Sequence, residues 1–283
     1  MKTIIEQDVY FIGDEWLYYK IYYGKKASDI ILTDLVGPLA KLLLDDNQIS
    51  KWFFIRYSDP EQHLRVRFKI CKVNDIGKII LTVHKKITPF IENKLVWDVQ
   101  LATYSREIDR YGSNTMELSE TLFFYDSISV LEIINYAHDE EHRFLMILKR
   151  IENTLILFGF RNRKLLLFLD QMQLQFKEEF NIKRIAKKQL SDKFREMTLK
   201  LSDTSQNESL KGTHAKDMRK VVAKMLVFDS EKKLEISLES LLASFIHMTI
   251  NRSFKSKQRL YEMMIYDFLY RKHKSKYARY GKT

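Results

Sequence analysis

The stretch that most constrains this chain is a pair of short segments with strong strand character, separated by an Asp59-Pro60 turn. Residues 52–57 are aromatic or β-branched except for Arg56, a composition that favours a strand. The next segment alternates polar with apolar side chains: His63, Arg65 and Arg67 against Leu64, Val66 and Phe68. A period of two puts each set on its own face, so the sequence predicts a β-hairpin with one apolar face.

The polar face of this hairpin carries two arginines, Arg65 and Arg67, which are two residues apart. Two guanidinium forks on one face match the geometry of carboxylate groups. If the face lines a cleft, the arginines form an anion clamp, and if it faces solvent they are ordinary surface residues. The hairpin alone leaves both interpretations open.

Composition limits the class of protein. The chain has 283 residues and is 45% hydrophobic, so it can bury a substantial core. Its single cysteine, Cys71, excludes an internal disulfide framework and a cysteine-based zinc site, and fits a reducing, cytoplasmic compartment. We expect no secretory signal and no membrane span, because the N-terminus soon turns acidic and no apolar run approaches ~20 residues. The net charge of +11 favours anionic partners.

Strand-like and helical segments are mixed at the front of the chain, whereas only helical patterns follow. Residues 16–23 and 97–104 have strand composition. The predicted fold class is α+β, with an N-terminal mixed strand and helix part containing a largely antiparallel sheet, then an all-helical C-terminal part that shares one core with it. We predict a single domain over 1–283, strand-rich in 1–112 and helical in 113–283.

Helix boundaries follow from apolar side chains at helical spacing. Pro38 predicts a break near Val36-Gly37 in the first helix. Residues 202–209 are predicted as a polar loop, and the basic segment 271–282 as a solvated terminus. The later helices are predicted at 116–137, 139–161, 163–180, 182–201, about 210–228, 234–249 and 256–273.

Two further stretches combine reactive side chains with a defined setting. Residues 104–112 crowd charged side chains at a strand end, which fits either a functional loop or a connection with surface ion pairs. In residues 245–252, His247 and Asn251 lie one turn apart on an otherwise apolar helix, which fits a buried structural histidine or a proton-transfer group. No phosphate-binding loop, dinucleotide fingerprint, nucleophile elbow or zinc-protease helix is present in the sequence.

Together with the hairpin, these stretches form an ordered set. The set comprises residues 52–60, 63–68, 104–112 and 247–252. It resembles the C-terminal domain of class I lantibiotic dehydratases, which is also found as a free-standing thiopeptide-type bacteriocin biosynthesis protein. The resemblance covers nearly the whole chain. One departure is Ser113, where the family often has a second glycine after Arg-Tyr-Gly.

The resemblance implies a lyase of lantibiotic biosynthesis that performs glutamate elimination. In nisin-type enzymes a separate, larger domain first esterifies Ser or Thr of a ribosomally made precursor peptide with glutamate from glutamyl-tRNA. The elimination domain then removes the glutamate, leaving dehydroalanine or dehydrobutyrine. Because the larger domain is absent from this sequence, the resemblance implies a stand-alone elimination subunit with a separate glutamylating dehydratase subunit as its partner. A cyclase partner and a homodimer are further expectations, and no cofactor or metal is implied.

The family's catalytic residues fall on Arg65, Arg67, Arg110 and His247. By this resemblance the arginines clamp the glutamyl group and stabilise the enolate, while His247 transfers a proton. The group that removes the Cα proton stays unassigned. Four further residues are expected to bind substrate or to orient these groups, with Arg252 alternatively holding its helix in place: Tyr57, Glu107, Asn251 and Arg252. All four catalytic side chains are expected to converge on one pocket.

Two alternatives stay open. The pyridine synthases of thiopeptide pathways share this fold and join two dehydroalanines by formal cycloaddition. In the second alternative, the chain is a non-catalytic peptide- or tRNA-binding subunit of a modification complex.

Overall fold

The computed structural model describes residues 7–24, 26–183, 188–197 and 214–280. The chain forms two compact units. The sheet unit consists of Met1–Tyr136 and Val227–Lys255, and the helical unit consists of Ala137–Leu226 and Ser256–Thr283. The prediction of a single domain stays a prediction.

The strands within the described residues are antiparallel and all lie in the sheet unit. They are β1 (Val9–Tyr10), β2 (Trp16–Tyr23), β3 (Ile49–Tyr57), β4 (His63–Ile70), β5 (Val96–Ala102) and β6 (Tyr104–Ser105). Four of them form one sheet in the order β3-β4-β2-β5, and β1 pairs with β6. The predicted hairpin is therefore β3–β4, with the Asp59-Pro60 turn between its strands.

The register gives the sheet two different faces. Arg67 lies opposite Phe53 on β3 and Tyr18 on β2, and Arg65 lies opposite Ile55 on β3. We call the face that carries these two arginines the arginine face. The intervening residues of β4 point the other way and are almost fully buried: Leu64, Val66 and Phe68. This is the division that the strict alternation of the sequence predicts.

Helices make up most of the remainder. The α-helices with defined bounds are α1 (Ser28–Ile30), α2 (Gly37–Asp45), α3 (Ile76–Glu92), α4 (Ile108–Tyr111), α5 (Met116–Tyr136), α6 (Glu140–Leu157), α7 (Asn162–Glu179), α8 (Ala215–Ser230), α9 (Leu238–Ser253) and α10 (Gln258–Tyr280). Residues 188–197 are also helical. The break predicted at Pro38 is a change of helix type: a π-helical segment, Ile31–Val36, runs directly into α2. Pro38 occupies the first turn of α2, where its missing N–H is tolerated.

Strand β3 is an edge of the sheet, and side chains from α5 and α9 bond to its free main-chain groups. The Asn251 amide accepts from the Arg56 N–H and donates to the Arg56 carbonyl, both at 2.9 Å. Ser127 accepts from the Phe54 N–H at 3.3 Å, and Arg252 Nε donates to the Phe54 carbonyl at 2.8 Å. These side chains take the place of a neighbouring strand and fix α5 and α9 against β3.

In the helical unit, buried carboxylates on α6 and α10 are paired with cations. Asp267 of α10 pairs with Lys177 of α7. Glu152 of α6 accepts from Lys272 at 2.7 Å and bonds the His273 ring at 2.9 Å, both residues of α10. These pairs link α10 to both of its neighbours within the unit.

The predicted α+β class is confirmed, since antiparallel sheets with helices are followed by a helical part. Helix α10 continues to Tyr280, beyond its predicted end at residue 273, so part of the basic terminus is helical and exposed. The predicted loop 202–209 and part of the predicted helix 182–201 lie outside the described residues. Among the residues that are described, no helix is long and apolar enough to cross a membrane.

Candidate functional site

Arg67 occupies the centre of the arginine face and is buried among aromatic rings. Only 7% of the surface of Arg67 is exposed to solvent. The guanidinium carbon lies 4.4 Å from the ring centroid of Tyr18, 4.8 Å from that of Tyr104 and 5.3 Å from that of Phe53. Aromatic faces attract a guanidinium group while leaving its in-plane N–H groups available for a ligand.

Arg65 lies beside Arg67 and is held by two neighbours. Its guanidinium carbon is 3.4 Å from the ring centroid of Tyr57, and its Nε donates to Nε2 of His63 at 3.1 Å. Nδ1 of His63 in turn donates to the carbonyl of Glu61 at 2.8 Å, which fixes the tautomer. Burial lowers the pKa of His63 and so favours this neutral, accepting ring.

Arg110 reaches the same region from α4. Its Nη1 lies 3.4 Å from Oε2 of Glu107, and its Nε donates to the hydroxyl of Ser244 on α9 at 3.1 Å. Helix α4 ends at Tyr111, and the next residue, Gly112, has a φ of +74°, a left-handed conformation that favours glycine. A Cβ at this glycine would also lie 3.3 Å from the Cβ of Glu235, so the turn has little room for a side chain.

Ser113, the departure from the family pattern, fixes this turn to the segment before α9. Its N–H and its hydroxyl both donate to the carboxylate of Glu235 at 2.6 Å. These bonds lower the pKa of Glu235 and keep it ionised. The hydroxyl of Ser113 therefore makes a hydrogen bond to Glu235 that a glycine at this position could not make.

His247 is half-buried on α9, between Ser244 and Asn251. Ser244, one turn earlier, bonds Arg110, and Asn251, one turn later, bonds the main chain of β3. Residues three and four apart share a helix face, so His247 lies on the face of α9 that turns towards these contacts. Its action in catalysis, and the convergence of all four predicted residues, stay predictions.

A small cavity of about 20 Å³ lies next to these groups, with room for roughly one water-sized group. The polar side chains that line it are Arg67, Tyr104, Glu107, Tyr111 and Arg252. Three atoms in this lining are buried and have no hydrogen-bond partner within the described part of the chain: Arg67 Nε, Arg252 Nη2 and the Tyr111 hydroxyl. The cavity is thus lined by unused hydrogen-bond donors on cationic and phenolic groups.

Arg252 has structural partners as well. Its Nη1 donates to Oδ2 of Asp126 at 3.0 Å, and the hydroxyl of Thr249 donates to Oδ1 of the same carboxylate at 3.0 Å. Together with its bond to β3, this pair connects α9 to α5 and to the sheet. The arrangement fits the sequence-based alternative that Arg252 holds its helix in place. The hydrogen bonds of Asn251 to β3 likewise give it an anchoring role, and its predicted orientation of His247 stays a prediction.

A buried ion pair supports the aromatic wall around Arg67. Arg106 donates from Nε and Nη2 to the two oxygens of Glu120, both at 2.8 Å. The hydroxyl of Tyr104 donates to the same carboxylate at 2.9 Å. The Tyr104 ring is therefore held at both its polar tip and its face, and the guanidinium of Arg67 stacks on a fixed surface.

The electrostatics of the cavity favour an anion. Burial lowers the pKa of both Arg67 and Arg252, because a desolvated cation is disfavoured. Burial raises the pKa of Tyr104 and Tyr111, so both phenols stay protonated, and the Tyr111 hydroxyl, which has no partner among the described residues, can donate. A carboxylate placed here would meet several donors at once and offset the desolvation of the arginines.

Several of the predicted residues come together. Arg67, Glu107 and Arg252 line one cavity, Arg110 pairs with Glu107, and Tyr57 stacks under Arg65. Sequence reasoning assigned no role to four residues that the site uses: Tyr18, His63, Tyr104 and Tyr111. The alternation of β4 did place His63 beside the arginines, and the two later tyrosines lie inside the matching motif.

Comparison with known proteins identifies the family. The sequence matches the lantibiotic biosynthesis dehydratase C-term family over residues 16–273. The chain belongs to this family. The resemblance found in the sequence is thereby confirmed.

Similar family proteins are named for lantibiotic biosynthesis. The subtilin biosynthesis protein SpaB of Bacillus subtilis is 25% identical over 269 residues, which cover 87% of this chain and 24% of SpaB. The nisin biosynthesis protein NisB of Lactococcus lactis subsp. lactis is 29% identical over 127 residues, which cover 44% of this chain and 12% of NisB. This chain therefore matches a quarter or less of the length of these two relatives.

Solved structures share the fold. The tRNA-dependent lantibiotic dehydratase MibB from Microbispora sp. 107891 matches with a TM-score of 0.68 at 19% identity, over 97% of this chain and 29% of MibB. The pyridine synthase TbtD from thiomuracin biosynthesis matches with a TM-score of 0.62 at 10% identity, over 93% of this chain and 100% of TbtD. At these identities the likeness concerns the fold alone.

Proposed function

We propose that this protein removes glutamate from glutamylated Ser or Thr residues of a ribosomally made precursor peptide. The products are dehydroalanine or dehydrobutyrine and free glutamate. The observation that supports this most is the cavity at the arginine face, where Arg67 and Arg252 present unused buried donors. A glutamyl ester supplies the carboxylate groups that such donors bind.

The reaction is a β-elimination. A base takes the Cα proton of the esterified residue, the C–H electron pair forms the Cα=Cβ double bond, and the Cβ–O bond breaks. Glutamate leaves as a carboxylate. Negative charge therefore develops in two places, on the peptide carbonyl as an enolate and on the departing oxygen. Fixed cationic donors near both places lower the barrier, each by roughly a few kcal/mol.

Different residues bind the glutamyl group, stabilise the developing charges and transfer the proton. Arg67, Arg65 and Arg110 bind the glutamyl group and stabilise the developing charges. His247 transfers a proton, because an imidazole gains and loses protons near neutral pH. Glu107 orients Arg110 through their ion pair. Tyr57 supports Arg65 by stacking.

The substrate requires an earlier reaction. An ester between glutamate and the peptide must be made before it can be eliminated, and we assign that step to an activity that uses glutamyl-tRNA. The dehydrated product suits a cyclase that adds cysteine thiols to it. These partners, and a homodimeric assembly, stay predictions.

Purified protein and a glutamylated peptide test the proposal. The peptide should lose the mass of one glutamic acid per modified residue, as followed by mass spectrometry. Arg67→Ala and His247→Ala should leave the glutamylated peptide unchanged within the time of complete wild-type conversion. Arg195→Ala is the control, because its side chain is 80% exposed and lies in the helical unit. If both site variants convert the peptide at the wild-type rate, the assignment of the site is wrong.

Cycloaddition is the alternative function. We include it in the experiment because the match to the pyridine synthase TbtD covers the full length of that chain. A peptide that already carries dehydroalanines and azoles distinguishes the two. Formation of a pyridine ring from this peptide, without elimination from the glutamylated one, would support the alternative. Binding of peptide or tRNA without any turnover would instead indicate a non-catalytic subunit, and the affinity for tRNA should then fall steeply with salt.

A further inference from the structure

A second, larger cavity lies within the helical unit, between the turn that joins α6 to α7 and the end of α10. Its volume of about 660 Å³ is in the range of cavities that hold small organic ligands. Every residue that lines it belongs to the helical unit, and none belongs to the proposed elimination site. We call it the basic cavity. Its polar lining consists of Arg161, Asn162, Arg163, His273, Lys276 and Tyr277.

The charge of the basic cavity is positive and unbalanced. None of the described residues that line it is acidic. Arg161, Arg163 and Lys276 have no hydrogen-bond or ion-pair partner within the described part of the chain. His273 differs, because its ring bonds the carboxylate of Glu152 at 2.9 Å. Three uncompensated cations around one cavity attract an anionic ligand.

The start of α7 forms one wall of the basic cavity and favours phosphate as the anion. The side chain of Arg161 does not cap this helix, and the first turn contains no acidic residue. Main-chain N–H groups at a helix start lack intrahelical partners and form the positive end of the helix dipole, where further cations are unfavourable. Arg161, Arg163 and Lys164 nevertheless cluster there. A phosphate group, with up to two charges and three acceptor oxygens, offsets this repulsion better than a carboxylate does.

The rest of the basic cavity fits a flat organic body attached to the phosphate. A phosphate ion alone would leave most of the volume empty, and the remaining lining is apolar: Ile156, Phe160, Leu165 and Leu166. Tyr277 is 42% exposed, so the face of its ring is accessible to a ligand. Nucleobases stack on such rings while cations track the phosphates of the same ligand. An aromatic ring, apolar walls and free cations in one cavity therefore indicate a nucleotide.

We propose that the basic cavity is a nucleotide-binding site, in which Arg161, Arg163 and Lys276 bind the phosphate and Tyr277 stacks on the base. A free nucleotide and the end of an RNA strand share this chemistry, and the experiment distinguishes these two sources. The site goes beyond the proposed elimination, because that reaction uses none of the residues that line the basic cavity.

A double variant, Arg161→Ala with Arg163→Ala, tests the phosphate contacts. Both side chains are exposed, so their removal leaves the apolar core of the helical unit intact. Arg195→Ala with Arg219→Ala is the matched control, since it also removes two exposed arginines from the helical unit, and neither lines the basic cavity. Both double variants have the same net charge, and circular dichroism melts check that they are folded.

Calorimetry on the full chain measures the binding of adenosine 5′-monophosphate, adenosine, inorganic phosphate and a single-stranded RNA of about eight adenosines. We expect the wild type to bind the monophosphate at least about 10-fold more tightly than adenosine or inorganic phosphate. The variant at Arg161 and Arg163 should weaken this binding by at least about 10-fold, and the control pair should not. Tyr277→Ala should weaken the binding of the monophosphate and leave that of inorganic phosphate unchanged.

The RNA identifies the source of the nucleotide. If the RNA binds more tightly than the monophosphate and depends on the same arginines, the ligand is the end of a strand, and the reverse order indicates a free nucleotide. Three results overturn the site: no binding of either probe by the wild type, an equal loss of affinity in a folded control pair, or tighter binding of a peptide of glutamate residues than of both probes. The second would show non-specific attraction by the net charge of +11, and the third would assign the basic cavity to an acidic peptide.

Discussion

At the scale of single residues, the buried arginines of the sheet unit differ in what balances their charge. Arg106 is matched by both oxygens of Glu120, so its charge is balanced inside the fold. Arg56 is likewise paired with Asp29 at 2.7 Å. Arg67 is instead surrounded by aromatic rings, which hold the guanidinium group without neutralising it. That difference is why the binding of an anion is assigned to Arg67 and not to its equally buried neighbours.

His63 holds Arg65 only while its ring is neutral, because Nε2 must accept from Arg65 Nε. Burial, the charge of Arg65 and that of Lys20 lower its pKa, against the opposing effects of the Glu61 carbonyl and Asp59. A lowered histidine pKa means that the unfolded chain takes up protons first as the pH falls. The stability contributed by neutral His63 is therefore complete above about pH 6.5 and is lost as the pH falls through the lower native pKa.

We predict that His63→Phe makes the free energy of unfolding less dependent on pH between neutral and mildly acid conditions. The same variant should raise KM for the glutamylated peptide, because Arg65 loses its fixed acceptor. Urea unfolding at a series of pH values, with steady-state kinetics at neutral pH, measures both effects. His84→Phe, at an exposed position of α3, is the control. An unfolding free energy whose pH dependence is the same in His63→Phe and wild type would contradict the prediction.

Sequence reasoning identified the arginine pair at this scale because alternation in a strand is a local property. It could not show that Arg65 is held by His63, two residues away on the same strand, because the bond depends on ring orientation and burial. It also could not show the unused donors of Arg252 and Tyr111. A donor lacks a partner only after every neighbouring group has been placed, and most of those neighbours are distant in the sequence.

At the scale of secondary-structure elements, the edge strand β3 determines where α9 lies. Asn251 matches both main-chain groups of Arg56, as a neighbouring strand would, and so connects the helix that carries His247 to the hairpin that carries the arginines. The two bonded residues are 195 positions apart. The 3.6-residue period of α9 predicts that it buries one face, but not which partner it buries that face against.

We expect Asn251→Ala to leave the N–H and the carbonyl of Arg56 unmatched and to destabilise the protein by about 1–3 kcal/mol. Because α9 would be less firmly fixed, the rate of elimination should fall even though His247 and the arginines are all present. Urea unfolding and kcat for the glutamylated peptide are the two measurements. Asn93→Ala, at the exposed end of α3, provides the comparison. Wild-type stability in Asn251→Ala would show that the edge of β3 needs no partner from α9.

Helix boundaries were predicted well where apolar side chains recur at helical spacing over many residues. Helices α5, α6 and α7 begin and end within a few residues of the predicted boundaries, since each has a sustained apolar stripe. The prediction at Pro38 differed because a proline in the first turn of a helix is tolerated, and the preceding residues form a π-helical segment that no simple period reveals.

At the scale of the whole molecule, the chain enters the helical unit after Tyr136 and re-enters the sheet unit at Val227. The segment Val227–Lys255 belongs with the first 136 residues, so His247 lies in the same compact unit as the hairpin arginines. The sequence indicated the α+β class through composition, whereas this return follows from tertiary contacts. The motif order of the family was the only sequence signal that connected His247 to the hairpin.

The helical unit has its own determinant of acid stability in Glu152. Burial opposes its ionisation, but hydrogen bonds and charge from His273 and Lys272 prevail and lower its pKa to about 2. For a carboxylate with a lowered native pKa, the stabilising contribution is complete above the unfolded pKa of about 4.3. It is lost as the pH falls from there towards the native value, because the unfolded chain then binds the proton more readily.

We therefore predict that Glu152→Gln lowers the free energy of unfolding by about 2–3 kcal/mol at neutral pH and by much less near pH 2. Urea unfolding followed by circular dichroism at both pH values measures the difference. Glu178→Gln, an exposed position of α7, controls for the loss of one negative charge from a chain whose net charge is +11. A deficit that is equally large at both pH values would mean that Glu152 stabilises α6 and α10 through its shape and neutral hydrogen bonding, and not through its ionised form.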